Sequence, residues 1–170
     1  SLPVVVQDLG IVADDRTALS AVFATIDADI IVTSGGASVG NHDLVRPALQ
    51  DAGAKIDFWR IAMRPGKPMM AGRLGKAMVL GLPGNPVSAF VTATLFLKPL
   101  IAAMARSRDP LPRALTATLG TPLPANDHRE DYLRAELRDG RVHAAPRQDS
   151  SMLQTLARAD CLIRRPAGVT

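Results

Sequence analysis

A chain of 170 residues with 47% hydrophobic content is long enough to bury a core and suits one large domain or two small ones, which sets aside disordered and fibrous classes. Its 20 Lys and Arg against 16 Asp and Glu leave a formal charge of +4, compatible with anionic small molecules. With aromatics at only 4%, it lacks the interleaved basic and aromatic residues of a nucleic-acid surface, so no nucleic-acid partner is expected. The single cysteine, Cys161, excludes an internal disulfide and a zinc-finger or zinc-ribbon site, reads as a small buried residue, and suits a reducing, cytoplasmic setting.

The opening SLPVVVQDLG has no basic stretch leading into a long apolar run, so no signal peptide is expected. Residues 4–6 and 9–12 are β-branched and apolar and read as extended segments. Asp14 and Asp15 offer an N-cap to a helix over about 17–25 that places Leu19, Val22, Phe23 and Ile26 on one face. The run DIIVT over 29–33 is a short, continuous apolar strand of the kind found in a sheet covered on both faces. After a glycine-rich loop, Asp43 can cap a second helix, LVRPALQDAG, which Gly53 ends.

In KIDFWRIAMRPGKPMMAGRL, alternation puts Phe58, Arg60, Ala62 and Arg64 on one face of a strand and Trp59, Ile61 and Met63 on the other. A further strand over 77–82 runs into PGNP, where Asn85 caps a long apolar helix with Pro86 in its first position. That helix approaches membrane-spanning length but carries Lys98 and Pro99, so a buried core helix with a late break is expected and no membrane partner. Strands alternating with helices predict an α/β layered domain over 1–107. Pro110 and Pro112 mark a linker, beyond which ALTATLGTPLPAN, DYLRAELRDGRVHAAPR and CLIRRP alternate in short segments around the hairpin signal Asp139-Gly140. A small β-rich domain is expected over 108–170, with one short helix in SSMLQTLARAD capped by Ser150 or Ser151.

Three loops at strand ends carry the chemistry. SGGASVG, with glycines at 35, 36 and 40, follows a strand and precedes a helix, a setting that lets an oxyanion approach main-chain N–H groups. RPGKP places Arg64 and Lys67 on a proline-stiffened turn, next to Arg60, so three cations can converge on one anion. GLPGNPVSA fixes another strand-to-helix turn, with the Ser88 hydroxyl in the first helical turn. Ligands in open α/β sheets bind beyond the carboxyl ends of strands. Carboxylates at helix starts, Asp14 or Asp15 and Asp43, cap by default, and in a phosphate-holding crevice could take magnesium or a proton.

The residues 36–40, GASVG, also satisfy the G-x-S-x-G elbow of a serine hydrolase. That reading needs a histidine base after Ser38. His42 is too close to swing back, which leaves His128 and His143 in the second domain, and nothing singles out an acid. The glycines around Ser38 are better explained as part of an anion loop.

Taken in series, TSGGASVGNHD, FWRIAMRPGKP and GLPGNPVSA closely resemble the molybdopterin molybdenumtransferases, the MoeA and gephyrin E-domain family, with GIVADD and the SSMLQTLARADCLIRRP tail adding to the likeness. The resemblance implies a molybdopterin-binding α/β domain followed by a small β domain. The family inserts molybdenum from molybdate into adenylylated molybdopterin with release of AMP, assisted by Mg2+, and works as a homodimer. By motif, Asp14 and Asp43 match active-site acids and candidate Mg2+ ligands. Ser34, Gly35, Gly36, Ser38, Gly40, Arg60, Arg64, Lys67, Pro83, Gly84, Asn85, Pro86 and Ser88 fall on the molybdopterin side. Arg64, Lys67, Ser88, Arg129 or Arg134, and Ser150 or Ser151 fall near molybdate. The sequence has Arg60 and Arg64 where lysines are common in the family. Two further domains, and the first strand and helix of the α/β domain, normally precede this region, so the resemblance implies a C-terminal portion that binds weakly and turns over poorly alone. A scaffold, or a molybdopterin-binding protein without catalysis, is the alternative the family allows.

Overall fold

The computed structural model describes residues 2–36, 43–58, 61–149 and 151–169. Residues 2–14, expected to include extended segments, form no helix or strand and join neither sheet, and Val5 and Ile11 are fully exposed. Helix α1, Arg16–Thr25, begins where predicted: Asp15 is the N-cap, its Oδ1 accepting from the Ala18 N–H at 2.8 Å, and Leu19 and Phe23 form the buried stripe. Strand β1, Ile30–Ser34, leads to helix α2, Val45–Asp51. Leu44, not Asp43, is the N-cap of α2, and no side chain caps it. Gly53, at φ 93°, ends α2 by donating to the Gln50 carbonyl, while Ala54 reaches back to Leu49.

The segment expected as one alternating strand is divided between two sheets. β2, Lys55–Phe58, stays in the first, β3, Met63–Arg64, joins the second, and β4, Met70–Leu74, returns to the first. Pro65 and Pro68 supply no N–H for a ladder, so the chain cannot remain paired through this stretch. Strand β5, Ala77–Leu82, completes the first sheet, whose order is β1-β5-β4-β2. β1 and β5 run parallel with Ser34 opposite Leu82; β4 runs antiparallel to β5 with Met70 opposite Gly81; β2 is antiparallel to β4.

One face of this sheet is covered by α1 and α2, through Leu19, Phe23, Ala48 and Leu49 packed on Ile31, Met70 and Val79. The other face is covered by the helix that starts at Pro86, with Met69, Ala71 and Leu80 meeting Phe96, Leu97 and Leu100. This helix runs as α3, Pro86–Thr92, a π-helical stretch, Ala93–Leu97, and α4, Lys98–Met104. It widens rather than breaks: Pro99 lacks an N–H and crowds the carbonyl four residues back, and the π turn just before it takes up the mismatch. By length and composition it could cross a membrane, but Val87, Val91, Thr92 and Ile101 are buried in the fold. Covering both faces reaches only part of the sheet. Val32 on β1 is 43% exposed, so the expectation of a strand buried on both faces does not hold there.

Residues 105–129 carry no helix or strand, only a bridge between Leu119 and Val142. The second sheet is built on β6, Glu130–Arg138, which pairs with β7, Arg141–Ala144, through a turn with Asp139 and Gly140 at φ 50° and 69°, and with β8, Cys161–Arg165. Helix α5, Leu153–Arg158, starts after Met152 with no side-chain cap, so Ser151 does not serve as one, and Ser150 lies outside the described residues. β3 pairs in parallel with the start of β6, Met63 opposite Glu130 and Arg64 opposite Asp131. A cluster of Met63, Val87 and Val91 with Tyr132, Leu156 and Leu162 packs the second sheet and α5 onto α3.

Candidate active site at the sheet edge

Strand polarity gathers the three loops on one edge of the first sheet. β1 and β5 are parallel, so the Ser34-Gly35-Gly36 and Pro83–Pro86 turns leave the same edge, and the antiparallel β4 begins there, bringing in the 64–68 loop that precedes it. Contacts confirm this. The Gly35 N–H donates to the Leu82 carbonyl at 3.1 Å. A Cβ added at Gly84 would lie 3.3 Å from the Gly35 Cα, an approach that two side-chain-free residues allow. Gly66, at φ 136°, packs on α3, where an added Cβ would meet the Thr92 methyl at 2.7 Å. The glycine loop after β1 thus touches the PGNP turn itself, while Gly66 meets the far end of the helix that the turn begins.

Within that turn Pro83 is buried, Gly84 and Pro86 are exposed, and Asn85 caps α3, its Oδ1 accepting from the Val87 and Ser88 N–H groups at 3.1 and 3.3 Å. Ser88 is buried, and its carbonyl takes the Thr92 hydroxyl at 2.7 Å. Ser34 is exposed at the end of β1, and Gly35 and Gly36 follow in the left-handed region at φ 83° and 66°. Gly36 approaches the start of α2 so closely that a Cβ would fall 2.1 Å from Val45 Cγ2 and 3.7 Å from Asp43 Oδ1. The Asp43 carboxylate is therefore next to the first loop, and its oxygens are buried. Asp14 is exposed before α1, and its neighbour Arg16 pairs with Asp51 at the far end of α2 from Asp43. Ser38, Gly40 and Arg60 lie outside the described residues, as does His42, so the nucleophile reading has no geometry to be judged on. The His143 ring is packed against Gly120.

Lys67 is exposed and makes no ion pair among the described residues. The peptide bonds preceding Pro65 and Pro68 are cis. Arg64 is tied into the second sheet: Nε donates to Asp131 Oδ1 at 2.8 Å and Nη2 lies 3.5 Å from Asp127 Oδ1. Asp131, 4% exposed, also faces Arg165 at 3.8 Å. Asp127 binds Arg129 through both its backbone N–H, at 2.9 Å, and its guanidinium, at 2.8 Å. These bonds hold the Asp127 carboxyl well below the usual carboxylate range. Arg129 therefore stands beside Arg64 around Asp127, where β3 and β6 of the second sheet adjoin. Arg134, the other arginine assigned by resemblance, is wholly buried, with Nη2 donating to the Asp149 carbonyl at 2.9 Å and Nε and Nη1 buried with no hydrogen-bond partner among the described residues, and burial lowers its pKa. Ser151 is nearby in the chain, its N–H and hydroxyl both donating to Asp149 Oδ1.

Residues 1–103 match the family described as probable molybdopterin binding domain, and residues 116–170 match the MoeA C-terminal region, domain IV. The chain belongs to the MoeA family. A molybdopterin molybdenumtransferase from Haemophilus influenzae is 45% identical over 101 residues, covering 58% of this chain and 25% of that protein. Molybdopterin molybdenumtransferase 1 of Mycobacterium tuberculosis is 32% identical over 176 residues, covering 96% of this chain and 41% of its own length. The crystal structure of a molybdopterin biosynthesis MoeA protein from Pyrococcus horikosii superposes with a TM-score of 0.73 at 26% identity, over 95% of this chain and 39% of that one. The chain thus spans a quarter to two fifths of the MoeA relatives it matches. The MoeA likeness covers both the layered α/β part and the β-rich part that follows it.

The network around Asp127 and Asp131 escaped the sequence reading. NDHRED looks like a solvated charged loop, and nothing local marks that two of its carboxylates, Asp127 and Asp131, meet Arg64 from far along the chain.

Proposed function

We propose that this chain supplies the molybdopterin-binding site and the adjoining molybdate-facing surface of an enzyme of molybdenum cofactor biosynthesis, one that transfers molybdenum from molybdate into adenylylated molybdopterin and releases AMP. The observation that carries the proposal is the gathering of the SGG, RPGKP and PGNP loops on one sheet edge, with Gly35 against Gly84 and Gly66 against α3. Backbone N–H groups and glycines suit a pyrophosphate; Lys67, Arg64 and Arg129 suit a doubly charged oxyanion. Among the described residues no cluster of three metal-ligating side chains exists, so the donor set fits Mg2+ only in the manner usual for that ion, one or two carboxylates completed by substrate phosphate. Asp43 would hold it, and the ion would neutralise phosphate charge; Asp14, beside the Arg16–Asp51 pair at the other end of α2, is not placed to share it. Asp43 would orient the ligand or accept a proton, while the loops hold the phosphates away from bulk water. A homodimer and a cytoplasmic location belong to the same reading.

Calorimetry with molybdopterin adenylate tests it. Lys67 is exposed and unpaired with any described carboxylate, so Lys67→Ala should keep the fold and weaken binding about tenfold or more, the worth of one charge-assisted contact. Gly36→Ala, which drives a Cβ into Val45, should also weaken it. Unchanged affinity in both variants would remove the proposal.

A further inference from the structure

Arg134 carries a buried charge whose held donor meets only a neutral group. Nη2 donates to the Asp149 carbonyl, while Nε and Nη1 have no partner among the described residues. The Asp149 carboxylate itself is engaged by the Ser151 N–H and hydroxyl, at 2.7 and 2.6 Å. A guanidinium buried in this way is costly, and its two idle donors suit an anion. Arg134 stands opposite Leu162 in the β6–β8 ladder, and paired residues project to the same side of a sheet. Leu162 packs with Val87 and Val91, so Arg134 lies on the face turned toward α3, the helix that begins at the PGNP turn.

A glutamine holds the arginine there. Beyond the Ala135–Ala144 pair, the next rung of β6 and β7 would exchange two bonds between Arg134 and Ala145. Only one is direct, from the Ala145 N–H to the Arg134 carbonyl at 2.9 Å. The Gln148 carboxamide takes the place of the other. Its Oε1 accepts the Arg134 N–H at 3.0 Å, and its Nε2 donates to the carbonyls of Ala145 and Arg134, both at 2.9 Å. The next residue, Asp149, supplies the carbonyl that takes Arg134 Nη2. One side chain thus anchors the Arg134 backbone, and its neighbour anchors one end of the guanidinium.

We propose that Gln148 is a positioning residue for oxyanion binding: its carboxamide fixes Arg134 so that Nε and Nη1 stay open to the ligand instead of closing on the chain. The inference rests on the proposed function, because it takes molybdate as that oxyanion and Arg134 as one of its cations. The chemistry of the clamp fits the role. A carboxamide supplies both the acceptor and the donors that the open rung requires, and it adds no negative charge beside the cation. The bond that holds the guanidinium is likewise to a neutral carbonyl, which leaves its charge for a ligand.

The test is titration of the chain with sodium molybdate at fixed ionic strength, comparing wild type with Gln148→Ala and Gln148→Glu. The direct bond of the rung and the β6–β8 pairing remain in both, so the sheet should survive, and urea unfolding checks that it does. Glu keeps an acceptor for the Arg134 N–H but sets an oxygen where two carbonyls need a donor. Each variant should bind molybdate about tenfold more weakly, the worth of one charge-assisted contact. Nuclear magnetic resonance of isotope-labelled protein supplies the readout that a merely structural role would not move. The Arg134 Nε–H signal, assigned by its absence in Arg134→Met, should shift with molybdate in wild type and fail to do so in Gln148→Ala. Unchanged affinity in both Gln148 variants, or an Arg134 signal that responds to molybdate equally with and without Gln148, overturns the inference, as does an Arg134 signal that molybdate never moves. Titration of wild type with molybdopterin adenylate separates the two ideas. Pterin binding beside a molybdate response indifferent to Gln148 sinks the role of Gln148 alone, whereas absent pterin binding with the Gln148 effect intact strikes the proposed function alone.

Discussion

Replacing Arg64 with Met would test whether one ion pair holds the RPGKP loop to the second sheet. The change removes the 2.8 Å bond from Nε to Asp131 and leaves that carboxylate, 4% exposed, with only Arg165 at 3.8 Å. A hydrogen bond to a charged group contributes about 1.5–3 kcal/mol, and the Arg64 side chain is 42% exposed, so solvent screening favours the lower half of that range. Arg165 still compensates Asp131, which keeps the cost short of the ~3–5 kcal/mol of a stranded buried charge. The expected loss is about 2 kcal/mol in urea unfolding followed by circular dichroism, seen as a lower midpoint with the slope unchanged. A double-mutant cycle with Asp131→Asn should return a coupling of about 1 kcal/mol or more. A loss below about 0.5 kcal/mol together with zero coupling would show that the β3–β6 pairing and the Met63 cluster join the sheets without help from this pair.

Two further outcomes follow from the same geometry. Asn85→Ala deletes the acceptor for the Val87 and Ser88 N–H groups and should cost about 1 kcal/mol in the same unfolding assay, while Asn85→Asp should restore most of it; equal stability of the alanine variant would deny the cap its role. Tyr132, the one tyrosine, is pushed up from 10.0 to about 12, first by burial and then by donating its hydroxyl to Glu130 Oε1 at 2.5 Å. The fold therefore favours the neutral phenol, so this contribution is fully present below pH 10 and is lost as pH rises toward 12. Tyrosinate absorbance of the folded protein should show the late midpoint, and a midpoint near 10 would contradict it.

The joint between the sheets gives these experiments a common frame. β3 is only two residues long, yet it sits in the second sheet, and α3, which starts at the PGNP turn, packs against Tyr132, Leu156 and Leu162. A ligand held by the PGNP and RPGKP loops thus rests on elements whose other side is the second sheet.

Local chemistry alone determined the pieces whose partners are near in sequence. The Asp15 and Asn85 caps, the Asp139-Gly140 hairpin, the Gly53 stop and the strands at 30–34 and 77–82 all follow from residues within a few positions of one another, and all stand where the sequence places them. The three strand-end loops were legible for the same reason, since prolines and glycines act on their own backbone. What the tertiary structure decided is pairing. Alternation through 55–64 records that the chain is extended, but period two is the same in any sheet, and only the contact with β6 assigns 63–64 to the second. Residues 4–6 and 9–12 have strand composition and no ladder, because a ladder needs a partner edge that composition cannot name. Asp127, Asp131 and Arg64 became one network for a related reason: an ion pair is a property of distance in space, and Arg64 lies more than sixty positions before either aspartate along the chain.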